Sequence, residues 1–325
     1  MRNLISRRGL LGGALGLAAC APKIDKNDGG FTLWGPPAGP SIILAYAEKL
    51  GMLREASPSA GVAVWRSPDE LRAGLTSKTI ALSIMPLNTA ANLYNRGRDI
   101  RLVNIMTRGL LYVVSSDDTL NDIPALAGRR LAVPYRKDAP EIVLRQVLKH
   151  HRIDPAKDLN LQITGTPIEA AQLLITGRVD AAFIPEPAAS AAISAAGLLG
   201  RTLRRTIDIQ EAWKAVAGPV ATLPQAGLAV SGGFAAANSE VLRRLKPILQ
   251  EAAAETLRKP ADAAEAAAKV FSLPKAVLEA SIPYSNLTAI PAAEARAEVD
   301  RYLSSLHALD PEILGGRPPD AGFFL

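Results

Sequence analysis

The sequence contains few of the residues that build disulfides, redox centres or metal sites. Its 325 residues include one cysteine, Cys20, and three histidines. A single cysteine can form no intramolecular disulfide and has no second thiol for redox work. His150 and His151 are adjacent, so on a helix they would not face one ligand, and His307 lies far along the chain. We therefore expect no metal site and no cofactor.

Motifs for phosphate binding and nucleophilic catalysis are also missing, and positive charge is sparse. No P-loop, Gly-x-Ser-x-Gly or Gly-x-Gly-x-x-Gly pattern occurs between a strand and a helix. The net charge of +6 falls to +3 without residues 1–19, which hold three arginines and no acid. Runs of Lys and Arg never exceed two residues. These features argue against an enzyme and against a nucleic-acid partner.

The first thirty residues have the order of an export signal. Arg2, Arg7 and Arg8 precede the uncharged stretch 9–19, which is too short to span a bilayer. The arginine pair resembles a twin-arginine signal, although such pairs also occur in ordinary signals. Leu17-Ala18-Ala19-Cys20 resembles a bacterial lipobox, which implies cleavage before Cys20 and lipid on its sulfur. The alternative for Cys20 is a small buried hydrophobic residue. We expect a signal peptide over 1–19 and a lipidated tether over 20–30.

The rest of the chain contains an internal repeat. A shift of 99 residues aligns Ser67-Pro68-Asp69-Glu70 with Thr166-Pro167-Ile168-Glu169 and Pro86 with Pro185. In each copy a hydroxyl residue stands three positions before a glutamate, with proline between them, and this predicts a capped helix. A short apolar run typical of a buried parallel strand follows each helix. Similar lengths of α/β units could also produce this match by chance.

The repeat predicts two α/β lobes joined by hinge strands. Apolar segments over 100–106, 110–115 and 226–231 suit strands, and the chain from 239 to 309 reads as mostly helical. We expect residues 31–115 with 226–325 to form lobe I and residues 116–225 to form lobe II. Ligands bind outside the carboxyl ends of strands in such sheets, so the repeated turns should face a cleft between the lobes.

A family resemblance rests on three segments: Ser67 to Pro86, Leu126 to Pro134, and Gly177-Arg-Val-Asp-Ala-Ala-Phe-Ile-Pro-Glu-Pro187. They resemble the periplasmic substrate-binding proteins of ABC importers, in the nitrate, sulfonate, taurine and thiamine-pyrimidine branch. The resemblance covers about Phe31 to Leu309 and implies a type II two-lobe fold. Many relatives place a Gly-Ser pair where this chain has Tyr135 to Asp138, so the resemblance brings no particular ligand with it.

Candidate ligand-binding residues lie at the turns that should face the cleft. In the first turn, backbone amides between Trp34 and Ser41 could point at a ligand; the alternative is a rigid turn, since three prolines remove donors. In the matching turn, cations could pair with an acidic group or stand in solvent. The set comprises Trp34, Gly35, Ser41, Asn88, Thr89, Arg108, Tyr135, Arg136, Lys137 and Glu186.

Several of these side chains have an expected role in ligand binding. Arg136 and Lys137 would bind the acidic group of a small organic solute, and the rings of Trp34 and Tyr135 would cover its apolar part. Asn88 and Glu186 would orient polar atoms, and Glu186 could instead cap the helix that follows it.

The combined prediction is a monomeric, membrane-anchored lipoprotein of the periplasm. It would capture the solute and deliver it to an ABC permease and its ATPase in the inner membrane. Two alternatives stay open: an enzyme on the same fold, of the thiamine-pyrimidine or menaquinone-biosynthesis type, and a lipoprotein sensor without a transport role.

The lipid anchor is directly testable. We expect mass spectrometry of membrane fractions to show a chain that begins at a lipidated Cys20, and Cys20→Ala to release the protein from the membrane. An unprocessed N-terminus, or membrane attachment that survives Cys20→Ala, would contradict the expectation.

Overall fold

The computed structural model describes residues 30–325. The expected signal peptide, Cys20 and the tether up to residue 29 lie outside the described residues. No helix in the described range is both long enough and apolar enough to span a membrane.

Strands and helices alternate through most of the chain. The strands are β1 (Thr32–Gly35), β2 (Gly61–Val64), β3 (Leu82–Pro86), β4 (Ile100–Thr107), β5 (Leu111–Ser115), β6 (Arg130–Pro134), β7 (Asn160–Thr164), β8 (Ala181–Pro185), β9 (Arg204–Asp208), β10 (Ala226–Ser231) and β11 (Leu287–Pro291). The helices are α1 (Pro40–Lys49), α2 (Pro68–Thr76), α3 (Leu87–Asn95), α4 (Ala139–His150), α5 (Pro167–Ile175), α6 (Ala188–Leu198), α7 (Ile209–Ala217), α8 (Gly232–Ala237), α9 (Ser239–Arg258), α10 (Pro260–Phe271), α11 (Lys275–Ser281) and α12 (Arg296–Leu309).

The strands form two sheets, one in each lobe. The first has the order β11-β4-β10-β3-β1-β2, and the second has the order β7-β6-β8-β5-β9. In each sheet the repeated strands pair in parallel: β1 with β2 and β3, and β6 with β7 and β8. The protein therefore has the two-lobe α/β fold that the sequence predicts, with a type II arrangement of strands.

The repeat appears at the level of individual hydrogen bonds. Ser67 Oγ accepts from the Glu70 N–H at 3.2 Å, and Thr166 Oγ1 accepts from the Glu169 N–H at 3.1 Å. Each glutamate carboxylate in turn accepts a backbone N–H from the residue before the cap, at 2.6 and 2.7 Å. These local contacts fix the starts of α2 and α5, and they follow from the sequence pattern alone.

Each sheet also receives an antiparallel strand as the chain crosses between lobes. β10 pairs with β3 and β4 in the first sheet, and β5 pairs with β8 and β9 in the second. The predicted boundary at residue 115 is therefore wrong for β5, which lies in the second sheet. β5 pairs with β8 over its whole length, from Leu111 to Ser115, so the chain enters the second lobe before residue 111.

A glycine is required at the first crossing. Gly109 has φ +117, a conformation that side-chain-bearing residues rarely adopt, and a Cβ there would overlap the Gln210 side chain. Its carbonyl accepts hydrogen bonds from Asn286 Nδ2 at 3.0 Å and from Gln210 Nε2 at 3.3 Å. The crossing is thus held by residues from both lobes.

The C-terminal region departs from the sequence prediction in two ways. The predicted helical tail is interrupted by β11, which pairs with β4 at the edge of the first sheet. Helix α12, assigned to lobe I by its position in the chain, packs against α4 and α7 of the second lobe. The rings of Trp213 and Tyr302 are both buried there, with centroids 5.6 Å apart.

Removal of the Tyr302 hydroxyl is a test of how the interface between α12 and the second lobe is packed. The hydroxyl is buried without a hydrogen-bond partner among residues 30–325, and burial raises its pKa. An unsatisfied buried hydroxyl costs stability, so Tyr302→Phe should leave the free energy of unfolding unchanged or raise it by up to about 1 kcal/mol.

Tyr112→Phe is the matched control for Tyr302→Phe. The Tyr112 hydroxyl donates to the Tyr284 carbonyl at 2.9 Å, so its loss should lower the free energy of unfolding by about 1 kcal/mol. Urea unfolding curves measure both values. A larger loss for Tyr302→Phe than for Tyr112→Phe would contradict the packing described here.

Candidate functional site

A cavity lies between the lobes at the carboxyl ends of their parallel strands, where ligands bind in open α/β sheets. It has a volume of about 120 Å³, and we call it the central cavity. Both repeated turns reach it, the first through Pro36 to Ala38 and the second through Tyr135 and Asp138. Its remaining lining residues are Trp65, Pro68, Leu71, Arg72, Met85, Pro86, Thr89, Leu110, Leu111, Pro140, Pro167, Pro185, Gln225 and Ala226.

The lining is apolar and rich in proline. Two pairs of prolines come from equivalent repeat positions, Pro68 with Pro167 and Pro86 with Pro185. Proline has no backbone N–H, so these strand and helix ends present no amide donors to a ligand. The charged groups of the lining are the side chains of Arg72 and Asp138.

One ion pair crosses the cavity. Arg72 on α2 approaches Asp138 at the start of α4, with 3.5 Å between Nη2 and Oδ2. Burial raises the pKa of the Asp138 carboxyl, and Arg72 opposes that shift. Asp69 accepts a hydrogen bond from Arg72 Nη1 at 2.7 Å, which holds the guanidinium toward the cleft. Arg72 is thus a half-exposed cation at the junction of the lobes.

The two chain crossings form the floor of the cavity. Gln225, just before β10, accepts the Leu110 N–H on its Oε1 at 2.9 Å, and its own carbonyl accepts the Leu87 N–H at 3.0 Å. The Leu110 carbonyl accepts the Glu186 N–H at 2.9 Å. A ligand in the central cavity would therefore rest directly on the hinge.

The structure brings some predicted residues to the cleft. Thr89 and Tyr135 line the central cavity. Asn88 and Lys137 line a second cavity beside it, which Thr89 also borders. Tyr135 and Lys137 both have positive φ, at 61° and 57°, so the second turn is tightly wound.

Other predicted residues lie away from the central cavity. Trp34 is half-buried and packs against the hydrophobic core. Gly35 is covered by the buried Ser41 hydroxyl, which a Cβ on Gly35 would overlap. Arg136 is exposed at the outside of its turn and lines neither cavity. Trp34 and Arg136 therefore do not line the central cavity, which the first turn reaches through Pro36 to Ala38 and the second through Tyr135 and Asp138.

Arg108 supports the hinge. Its guanidinium donates two hydrogen bonds to Glu298 on α12, from Nε at 3.0 Å and from Nη2 at 2.8 Å. Thr222, just before the second crossing, also donates to Glu298. Glu298 thereby connects both crossings to α12, and Arg108 lines neither cavity.

Glu186 is fully buried beside the cleft and has protein partners on both oxygens. Oε1 accepts from Arg205 Nε at 2.6 Å, and Oε2 accepts the Ser190 N–H at 3.2 Å in the first turn of α6. Burial raises the pKa of Glu186, and Arg205 opposes the shift. Arg205 also stacks on the Tyr284 ring, with its Cζ 3.6 Å from the centroid. The expected capping alternative accounts for Glu186 better than a role as a ligand.

The lining residues that sequence reasoning missed include Trp65, Arg72 and Gln225. Trp65 directly follows β2, so the rule about carboxyl ends of strands could have found it. Its indole Nε1 donates to Ser83 Oγ at 3.0 Å, which fixes the ring against the cavity. Arg72 and Gln225 carry no local signal, because their positions depend on how the lobes meet.

The two sheets and the cleft between them together define a two-lobed periplasmic-binding-protein fold. A family model described as the NMT1-like family matches residues 72–272, and the chain belongs to this family. No curated protein matches the chain in sequence.

Solved structures share the fold over nearly the whole chain. An ABC transporter protein from Parabacteroides distasonis is 24% identical, with a TM-score of 0.74 over 92% of this chain and 99% of that one. The alkanesulfonate-binding protein SsuA from Xanthomonas axonopodis pv. citri, bound to MOPS, is 18% identical, with a TM-score of 0.64 over 90% and 95%. The periplasmic aliphatic sulphonate-binding protein SsuA from Escherichia coli is 17% identical, with a TM-score of 0.66 over 89% and 96%.

The buried pair of Glu186 and Arg205 predicts a pH-dependent effect. Arg205→Met leaves Glu186 buried without its cation, which should raise the carboxyl pKa further. A raised folded-state pKa means that stability is lost as pH rises through that value. The variant should lose about 3–5 kcal/mol of unfolding free energy at pH 7 and less near pH 4.5.

Glu186→Gln in the Arg205→Met background is the control, and it should recover much of the loss at pH 7. Urea unfolding at both pH values measures the effect. An equal loss at pH 4.5 and pH 7 would show that Arg205 acts through stacking on Tyr284 alone.

Proposed function

We propose that the protein is the solute-binding lipoprotein of an ABC importer and captures a small organic acid. The observation that carries this proposal is the cavity between the lobes, lined from both repeats and floored by the hinge residues Leu110 and Gln225. A ligand there would contact both lobes and both crossings at once. Its binding energy could therefore favour one relative position of the lobes, which a permease could recognise.

The lining supports a solute with an apolar body and one acidic group. Trp65, Met85 and Tyr135 offer apolar and aromatic surface, and the prolines add more. Arg72 supplies the cation, and a carboxylate or sulfonate could replace Asp138 as its partner across the cleft. Sulfonates are a natural first class to test, since two of the structural neighbours are sulfonate-binding proteins.

The charged side chains that line the central cavity favour ligand binding over catalysis. Asp138 is the carboxylate in the lining, and it is engaged by Arg72 and by the Ala139 N–H at 2.7 Å. We propose that the chain is not an enzyme.

The cellular setting of the proposal follows from the N-terminal sequence. Export and lipid attachment at Cys20 would hold a monomer in the periplasm on a membrane anchor, from which it would serve a permease and its ATPase in the inner membrane.

Calorimetric titration with a panel of sulfonates, carboxylates, amines and pyrimidines tests the proposal. We expect an acid to bind best, and Arg72→Gln to weaken its binding by about ten to a hundredfold, the effect of one charge-assisted hydrogen bond. Arg136→Gln, which changes an exposed cation of the neighbouring turn, should leave affinity unchanged.

Three outcomes would count against this function. Preferred binding of an amine or of a neutral pyrimidine would refute the acidic solute. Unchanged affinity in Arg72→Gln would refute the assigned cation, and the Arg136→Ala with Lys137→Ala variant would then show whether the turn supplies it. Turnover of a bound compound would favour the enzyme.

A further inference from the structure

A second, larger cavity opens beside the central one, and we call it the outer cavity. It has a volume of about 440 Å³ and lies between α3, α4 and the segment Pro311–Leu314 that follows α12. Arg72, Thr89 and Asp138 border both cavities, so the two spaces meet at the cross-lobe ion pair. The remaining lining residues are Asn88, Asn92, Leu93, Lys137, Ile142, Arg145, Asp310, Glu312 and Ile313.

The outer cavity contains two cations without protein partners. Neither Lys137 nor Arg145 forms an ion pair through its side chain with any group in residues 30–325. Lys137 is exposed, whereas Arg145 is half-buried on α4 beside the buried Ile142. A half-buried guanidinium next to apolar surface is screened less by water than an exposed one, so it attracts an anion more strongly.

The carboxylates of the outer cavity already have partners. Asp310 accepts the Glu312 N–H at 3.0 Å on Oδ1. Glu312 pairs with Arg96 at 3.3 Å, outside the cavity lining. Asp138 pairs with Arg72. Asp310 forms no ion pair among residues 30–325, so the two unpaired cations, Lys137 and Arg145, exceed the unpaired carboxylate by one.

A buried amide adds a polar contact. Asn88 is 5% exposed, and its Oδ1 is shielded from solvent without a hydrogen-bond partner among the described residues. Its Nδ2 also forms no hydrogen bond within residues 30–325. A buried amide without partners is costly in a folded protein unless a ligand or water satisfies it. Asn88 faces the same space as Arg145, so one ligand could contact both.

We infer that the outer cavity binds the anionic group of the solute, while the central cavity binds its apolar body. This assignment deepens the proposed function and rests on it. The expected solute therefore has two parts: a compact apolar or aromatic body, and a sulfonate, carboxylate or phosphate group joined to it. Arg145 and Asn88 contact the anion, and Arg72 contacts it from the junction.

The experiment uses two ligands of the same shape that differ in charge, benzenesulfonate and benzenesulfonamide. Inorganic sulfate is the third probe, with chloride at equal ionic strength as the reference. Calorimetry compares the parent protein with Arg145→Met, with the conservative variant Arg145→Lys, and with Arg136→Met as the matched exposed control. Circular dichroism and urea midpoints establish that each variant is folded.

The inference predicts that the parent binds benzenesulfonate at least about tenfold more tightly than benzenesulfonamide. Sulfate should compete with benzenesulfonate, because both anions need the same cations. Arg145→Met should lower the preference by about tenfold and weaken sulfate binding, Arg145→Lys should retain part of both, and Arg136→Met should change neither. An undiminished preference for the sulfonate in Arg145→Met would overturn the assignment.

The sulfate arm separates failure of the inference from failure of the proposed function. If neither aromatic compound binds, this substrate class is refuted, and sulfate alone reports on the outer cavity. Sulfate binding that is lost in Arg145→Met would still support an anion site there. Absence of sulfate binding to the parent would overturn the inference.

Discussion

The hydrogen bond between the Leu110 N–H and the Gln225 side chain, at 2.9 Å, joins the two chain crossings. Each crossing leads into a strand that completes the sheet of the lobe it enters, β5 in the second and β10 in the first. Each sheet is therefore completed by the strand that directly follows a crossing. The same two residues form the floor of the central cavity, so the site and the hinge share one set of backbone contacts.

The repeat explains why the cleft is apolar and why its charges are asymmetric. Prolines occupy equivalent positions in both halves, Pro68 with Pro167 and Pro86 with Pro185, and they take backbone donors away from the strand and helix ends. An anion site of backbone amides is disfavoured by this lining. The cations Arg72 and Arg145 come instead from helices, and their equivalents in the other copy of the repeat are Ala171 and Tyr46. The repeated elements form the walls of the cleft, and the residues that differ between the two copies supply its charged side chains.

Local patterns could be read from the sequence, whereas contacts between lobes could not. The caps at Ser67 and Thr166 are confirmed because every atom involved lies within four residues of chain. β11 was missed because it is a five-residue strand with an irregular register, placed between helices and ended by a proline. The role of Arg72 depends on Asp138, 66 positions away in the other lobe, and no periodicity encodes such a pair.

Helix α12 adds a third connection between the lobes. Gln146 donates to Ser305 at 2.8 Å, which ties the helix to α4 of the second lobe. The segment after it is tied to α3 of the first lobe, where Asn95 Nδ2 donates to the Leu314 carbonyl at 2.7 Å. The chain passes from one attachment to the other through Asp310. Because Asp310 and Ile313 line the outer cavity, an anion bound there would lie against this third connection.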